Sequence, residues 1–274
     1  MSSLQHTNRI SRQSSTAPLL AVTSVVGVGA FFYPFFLTQA NAGENAAHLA
    51  DAPLVLVLLV GLCLLVLLAD LETRRLDARQ VALLGILVAT NASLRAIPHP
   101  AEFVPFFVLP ILCGYALGGD FGFLLGALSM LVSALFTAGV GPWLPFQMYA
   151  AGWVGLSASW FARPLAHAGG KVERAALAGW GVLTGFLYGA LLNLWFWPFT
   201  APAASADPST AWDPTAGLLG GLERYAGFYA ATSLPFDTTR AFGNLLLILL
   251  LAAPVLKMLR RFKERFSFVT VGAE

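Results

Sequence analysis

The feature that most constrains this chain is the length of its uncharged stretches. No Asp, Glu, Lys or Arg occurs in residues 13–43, 52–69, 80–94, 103–119, 121–162, 175–206 or 241–256. A helix needs roughly 20 mostly apolar residues to cross a bilayer. Residues 121–162 are too long for one crossing, and Gly139-Val140-Gly141-Pro142 breaks them in the middle. The pattern predicts eight helices, near 17–38, 52–70, 81–97, 103–118, 120–138, 143–162, 175–199 and 237–258. Composition excludes the soluble alternative. Of the 274 residues 57% are apolar and 11% charged, and mean hydropathy is +0.72. That is too little charge to solvate a globule of this size. The expected fold is an all-α polytopic membrane protein.

Orientation follows from Lys and Arg in the short loops. With the N-terminus in the cytoplasm and eight alternating helices, Arg9, Arg12, Arg74, Arg75, Arg79, Arg163, Lys171, Arg174, Lys257, Arg260, Arg261, Lys263 and Arg265 share the cytoplasmic side. Only Arg224 lies in an outer loop, with Arg95 and Arg240 near outer helix ends. Adding or removing one helix scrambles this partition, so both termini are expected inside. A rival reading is a secretory signal peptide: Arg9 and Arg12, an apolar segment and Ala40-Asn41-Ala42 imitate one. The apolar segment is longer than the usual 7–15 residues and contains Pro34.

The organisation expected is a polar tail (1–16), a two-helix extension (17–80), a six-helix core (81–265) and a C-terminal tail (266–274). The outer segment 200–235 is the largest non-membrane piece. Cys63 and Cys113 lie inside apolar runs and read as packed thiols, and no two of the four histidines share ligand spacing, so no metal site is expected. No P-loop, HExxH or paired-carboxylate motif appears, and nothing points to nucleic acid.

Ionisable and amide side chains inside a bilayer are costly and face a cavity or one another. Here they are Asn91, Arg95, Asp120, Gln147, Asn193, Asp237, Arg240 and Asn244. All but Asp120 fall toward the expected outer side. Asn91 and Arg95 share one helix face, as do Asp237, Arg240 and Asn244. Convergence at one depth from four helices predicts a pocket open to the outside, with Trp143 and Trp197 among the aromatics available to line it. The plainer readings are open too: Asp237 as a helix N-cap with Arg240 its surface partner, Asn193 as a helix–helix hydrogen bond, and the aromatics as an interfacial belt. On helix 81–97, Gly85, Ala89 and Ser93 form a small-xxx-small stripe that lets another helix approach. At 100° per residue Asn91 points about 200° away from Ala89. The stripes Gly118-Gly122-Gly126 and Gly181-Gly185-Gly189 are read as internal packing.

Gly114-Tyr-Ala-Leu-Gly-Gly-Asp-Phe-Gly-Phe-Leu-Leu-Gly126, Gly139-Val-Gly-Pro-Trp-Leu-Pro-Phe-Gln-Met148, Asn193-Leu-Trp-Phe-Trp-Pro198, Thr232-Ser-Leu-Pro-Phe-Asp237 and Asn91-Ala-Ser-Leu-Arg95 together resemble the substrate-binding S components of energy-coupling factor (ECF) transporters. The resemblance implies a six-helix core that captures a vitamin or related micronutrient from outside, in the prokaryotic plasma membrane. It implies docking through a small-residue stripe, matched by Gly85, Ala89 and Ser93, on a separate scaffold subunit with two ATPases. ATP is then used by those partners and this chain carries no cofactor. The two helices before the core depart from the minimal pattern. The long variant is similar to S components for cobalamin or its precursors, whereas the histidine of cobalt and nickel S components has only His6, in a polar tail, as a counterpart. Two other classes compete: a non-catalytic membrane assembly subunit, for which the small stripes suffice, and an intramembrane enzyme acting on a lipid or isoprenoid. The second needs a carboxylate pair, and the one conceivable pair, Asp120 and Asp237, is expected on opposite sides of the membrane.

Overall fold

The computed structural model describes residues 17–36, 46–72, 78–97, 103, 105–199 and 208–267. They form helices α1 (Ala17–Phe32), α2 (Ala46–Glu72), α3 (Ala78–Ala96), α4 (Val108–Leu117), α5 (Gly119–Phe136), α6 (Leu144–Ala158), α7 (Gly170–Phe196), α8 (Gly217–Thr232) and α9 (Leu234–Ser267). Short 3-10 turns at Tyr33–Phe36, Pro105–Phe107, Ser159–Phe161, Trp197–Phe199 and Pro208–Thr210 extend or join them. No strand occurs among the described residues. Pro18–Phe36, Gly119–Phe136, Gly170–Phe196 and Leu234–Glu264 are long and apolar enough to cross a membrane, and Pro53–Val66 and Pro105–Leu117 are shorter apolar helices.

Each apolar stretch carries the helix expected of it, with two differences. Residues 200–235 contain α8, a helix of its own. The last helix runs from Leu234 to Ser267, beyond the expected 237–258, because the basic tail keeps helical geometry after the apolar run ends.

Glycine sets the closest helix approaches. A Cβ on Gly122 of α5 would lie 2.6 Å from both the Gly114 Cα of α4 and the Gly155 carbonyl of α6, so three backbones meet where no side chain fits. Gly118, with φ +124°, makes the one-residue turn between α4 and α5, a conformation other residues rarely adopt. A Cβ on Gly185 of α7 would stand 3.0 Å from the Ala241 Cα of α9. These stripes pack inside the bundle, whereas Gly85 meets nothing within 4 Å.

Helices α1 and α2 pack against α6. Phe31 meets Phe146 edge-on at 5.1 Å, the Trp153 indole N–H donates to Ser24 Oγ at 3.1 Å, and Cys63 and Val66 are fully buried. The Ala40-Asn41-Ala42 segment lies outside the described residues, as does His6. Two ends of the bundle result. At one, Tyr115, Glu173 and Arg260 meet among basic residues; at the other, Phe146 stacks on Trp195 at 4.8 Å and α8 caps α7 and α9.

Candidate functional site

Six of the expected site residues, Asn91, Arg95, Asn193, Asp237, Arg240 and Asn244, fall in two separate clusters toward the α8 end. The first lies between α7, α8 and α9. Asp237 is 1% exposed and sits inside the first turns of α9, where its carboxylate accepts from the Tyr229 hydroxyl at 2.8 Å and pairs with Arg240. It is a buried ion-pair partner rather than the N-cap. Arg240, 9% exposed, stacks over the Tyr188 ring at 5.2 Å and donates toward the Gly185 carbonyl at 3.5 Å. Asn244 Nδ2 donates to the Gly181 carbonyl at 2.9 Å. A Cβ on Gly189 would collide with the Asp237 carboxylate. The glycine stripe of α7 thus leaves room for a polar stripe on α9 and supplies carbonyl acceptors for it. Asn193 completes the cluster as a helix–helix bond, Nδ2 to Thr232 Oγ1 of α8 at 3.0 Å.

Helix α8 is anchored over this cluster. The Tyr225 hydroxyl donates to the Ala190 carbonyl, and Trp197, 2% exposed, packs against Trp212 at 4.9 Å and Tyr225 at 5.1 Å. Its indole N–H donates to the Thr210 carbonyl at 2.8 Å. Burial raises the Tyr225 and Tyr229 phenols well above their ordinary range, with Asp237 acting in the same direction. In the loop leading to α8, hydrogen bonds from Thr215 hold Asp213 below the usual carboxylate range, and Asp213 pairs with Arg224 at 3.6 Å. Trp197 therefore packs the cap.

The second cluster lies between α3 and α5, which pack together. Arg95, half-buried, donates to Ser133 Oγ at 3.1 Å. The Arg95–Ser133 bond joins the last turn of α3 to the last turn of α5, so the two helices run parallel. One turn back along each helix stand Asn91 and Ser129, both fully buried. Neither amide atom of Asn91 has a hydrogen-bond partner among the described residues, and neither does the Ser129 hydroxyl. An unmade bond on a buried polar group costs about 1–3 kcal/mol. This seam is therefore polar, and its buried groups are left unsatisfied by the protein's described residues. Pro105–Phe107 packs against both α3 and α9, and Phe107 meets Tyr188 at 4.7 Å, so an aromatic turn stands between the two clusters.

Trp143 and Gln147 join neither cluster through a hydrogen bond. The Trp143 ring is exposed and its N–H donates to the Gly139 carbonyl of its own loop at 3.1 Å; Gln147 is half-buried in the first turn of α6. On α3, Gly85, Ala89 and Ser93 are exposed while Asn91 is buried. Asp120 stands in the first turn of α5 near the opposite end from Asp237, so the two carboxylates share no site.

Sequence reasoning missed a third polar cluster, at the basic end. Glu173 of α7, 6% exposed, accepts from the Tyr115 hydroxyl of α4 at 2.5 Å and pairs with Arg260 of α9. Lys263 Nζ donates to the Ala116 carbonyl at 2.9 Å. The missed signal was a lone acid among basic residues, 87 residues from its partner on α9. Ser129 and Ser133 were missed because hydroxyls are common in helices, where they bond their own backbone.

A family model described as the substrate-specific component of the ECF transporter matches residues 79–252. The match begins in α3, leaves α1 and α2 outside it and ends in α9. No curated protein and no solved structure matches the chain.

Proposed function

This chain belongs to the substrate-specific components of ECF transporters, and from that premise we propose where its substrate sits and what it is. As a member it is a multi-pass protein of the prokaryotic plasma membrane and the substrate-binding subunit of an importer, not an enzyme. Within that role, the α3–α5 seam is the substrate site. The observation that carries the reading is Asn91, fully buried with both amide atoms unpartnered. A ligand that hydrogen-bonds Asn91 and Ser129 supplies the bonds that the described residues do not. Arg95 stands one turn further along, and four of its five N–H donors lie beyond its bond to Ser133. The chemistry fits a micronutrient bearing amide or carbonyl groups together with an anionic or strongly accepting oxygen. A vitamin is the expected class, with cobalamin or a precursor the first candidate. The cluster on α7 and α9, including Asn193, Asp237, Arg240 and Asn244, frames the site and holds its wall, with Trp143 and Gln147 at its rim.

The reading extends to the partners. The exposed Gly85, Ala89 and Ser93 dock on the scaffold subunit, and two ATPases supply the energy. Substrate face and docking face then lie on opposite sides of one helix, so occupancy of the seam reaches the scaffold through α3 itself. Eight crossings by α1–α7 and α9, with the basic end in the cytoplasm, put the seam on the outer side.

The test is a thermal-shift screen of the purified chain against a vitamin panel that includes cobalamin. A stabilising ligand whose affinity falls at least tenfold in Asn91→Leu supports the reading. A chain that responds to no panel member is an assembly subunit instead. Uptake of the same vitamin with and without the ECF module tests the partners; uptake that needs no ATPase contradicts them.

A further inference from the structure

Far from the seam, at the basic end, a cavity of about 580 Å³ opens between the start of α7 and the last turns of α9. Lys171 and Arg174 of α7 and Lys257 and Arg261 of α9 line it. On each helix the two cations are three or four residues apart and therefore share a face. Glu173 also reaches the cavity, but its carboxylate is buried and already taken by Tyr115 and Arg260. That leaves four cations against Glu264. Arg174 Nε donates to the Gly170 carbonyl at 3.1 Å, which holds the guanidinium across the first turn of α7. The N-terminus of a helix adds positive potential at the same place.

The back wall is different in kind. Ala253 and Leu256 line it, and Ala253 continues onto an exposed apolar face of α9 that carries Leu249 and Leu250. A cationic mouth joined to an apolar track, at the end of two spanning helices, matches an amphiphile with an anionic head. A free anion uses the cations and leaves the wall idle.

We propose that this cavity holds the headgroup phosphate of an anionic phospholipid in the leaflet on the basic side, its acyl chains lying along α9. Arg174 and Arg261 offer paired N–H donors to the phosphodiester oxygens, and Lys171 and Lys257 act as point charges beside them. Basic pockets between spanning helices on the cytoplasmic side hold such headgroups. The bound lipid then bridges α7 and α9 at the end opposite the substrate seam, and it requires nothing of the substrate assignment.

The experiment uses the full chain in detergent, read by native mass spectrometry and thermal melting. The probes are phosphatidylglycerol, phosphatidylcholine of identical acyl chains, and inorganic phosphate. The expected result is retention of phosphatidylglycerol with a raised melting temperature, and neither effect from phosphatidylcholine. Each neutralised cation near a membrane surface removes roughly a factor of five in affinity. The double variant Lys171→Gln, Lys257→Gln is therefore expected to retain phosphatidylglycerol about thirtyfold less well, and Lys257→Gln alone, for use where the double variant does not fold, about fivefold. Equal retention of the two lipids by the wild type, or undiminished retention by Lys257→Gln, overturns the proposal. So does inorganic phosphate that stabilises as strongly as phosphatidylglycerol and displaces it, which makes the cavity a free-anion site. A variant that keeps its lipid but loses its partner subunits assigns the cations to a protein contact and overturns it too.

Discussion

The α7–α9 interface and the α3–α5 interface both bury polar side chains toward the same end of the bundle, and they treat them in opposite ways. Between α7 and α9 each polar side chain keeps a bond to the protein: Asp237 has Tyr229 and Arg240, and the Asn244 amide N–H reaches the Gly181 carbonyl while its buried Oδ1 has no partner among the described residues. Between α3 and α5 Arg95 is joined to Ser133, and Asn91 and Ser129 are left without partners among the described residues. Burial and charge alone do not separate a binding site from a structural joint. Saturation does. The glycine stripe on α7 explains the contrast, since it exposes backbone carbonyls to α9 at close range. Helix α3 turns its small residues outward instead, where Gly85, Ala89 and Ser93 leave an exposed face.

The sharpest way to break this contrast is to unbalance the ion-paired interface between α7 and α9. Arg240→Met leaves a carboxylate that is 1% exposed without its cation, and loss of one partner of a buried pair costs about 3–5 kcal/mol. The melting temperature of the purified chain is expected to drop sharply. A variant that melts like wild type but loses ligand moves Arg240 into the site and merges the two interfaces.

A steric test comes next. Gly185→Leu forces side-chain atoms against Ala241, where even a Cβ stands at 3.0 Å, and overpacking of this kind costs about 1–3 kcal/mol. Gly85→Leu adds the same atoms to open space and is expected to leave the melting temperature unchanged while weakening co-purification of the scaffold subunit. Equal destabilisation by both changes denies the distinction between inner and outer stripes.

A smaller effect probes the extension. Ser24→Ala removes the acceptor of the Trp153 indole, and one net hydrogen bond is worth about 0.5–1.5 kcal/mol. A modest loss of thermal stability with unchanged ligand affinity is expected, because Ser24 lies on α1, which packs on α2, α6 and α7 rather than on the two seam helices.

Much of this was legible in the sequence, for reasons of periodicity. Uncharged runs and the Gly139-Pro142 break locate the helices to within a few residues, and one-turn spacing puts Asn91 with Arg95 and Asp237 with Arg240 and Asn244 on common faces. Spacing along one helix does not say which neighbour a face meets. The nine expected site residues therefore read as one pocket, whereas the structure separates the α7–α9 group from the α3–α5 group with Phe107 between them. Spacing likewise does not show that Trp197 packs against Trp212. Helix α8 lay within the outer segment, whose Glu223–Phe236 part already looked ordered, although Leu218, Leu222, Tyr225 and Tyr229 follow one another at helical spacing. Glu173 was hidden in a basic flank, because its partners Tyr115 and Arg260 come from helices far apart in the chain.

The most direct measurement compares Asn91→Leu with wild type in two readings taken on the same preparation: the melting temperature of the ligand-free chain, and the affinity for the panel vitamin that gives the largest shift. Leucine removes two unpartnered polar atoms at similar size, so the ligand-free variant is expected to melt at or above the wild-type temperature. Its affinity is expected to fall at least tenfold. A variant that melts lower and still binds like wild type would make Asn91 a structural residue and contradict the assignment of the α3–α5 seam.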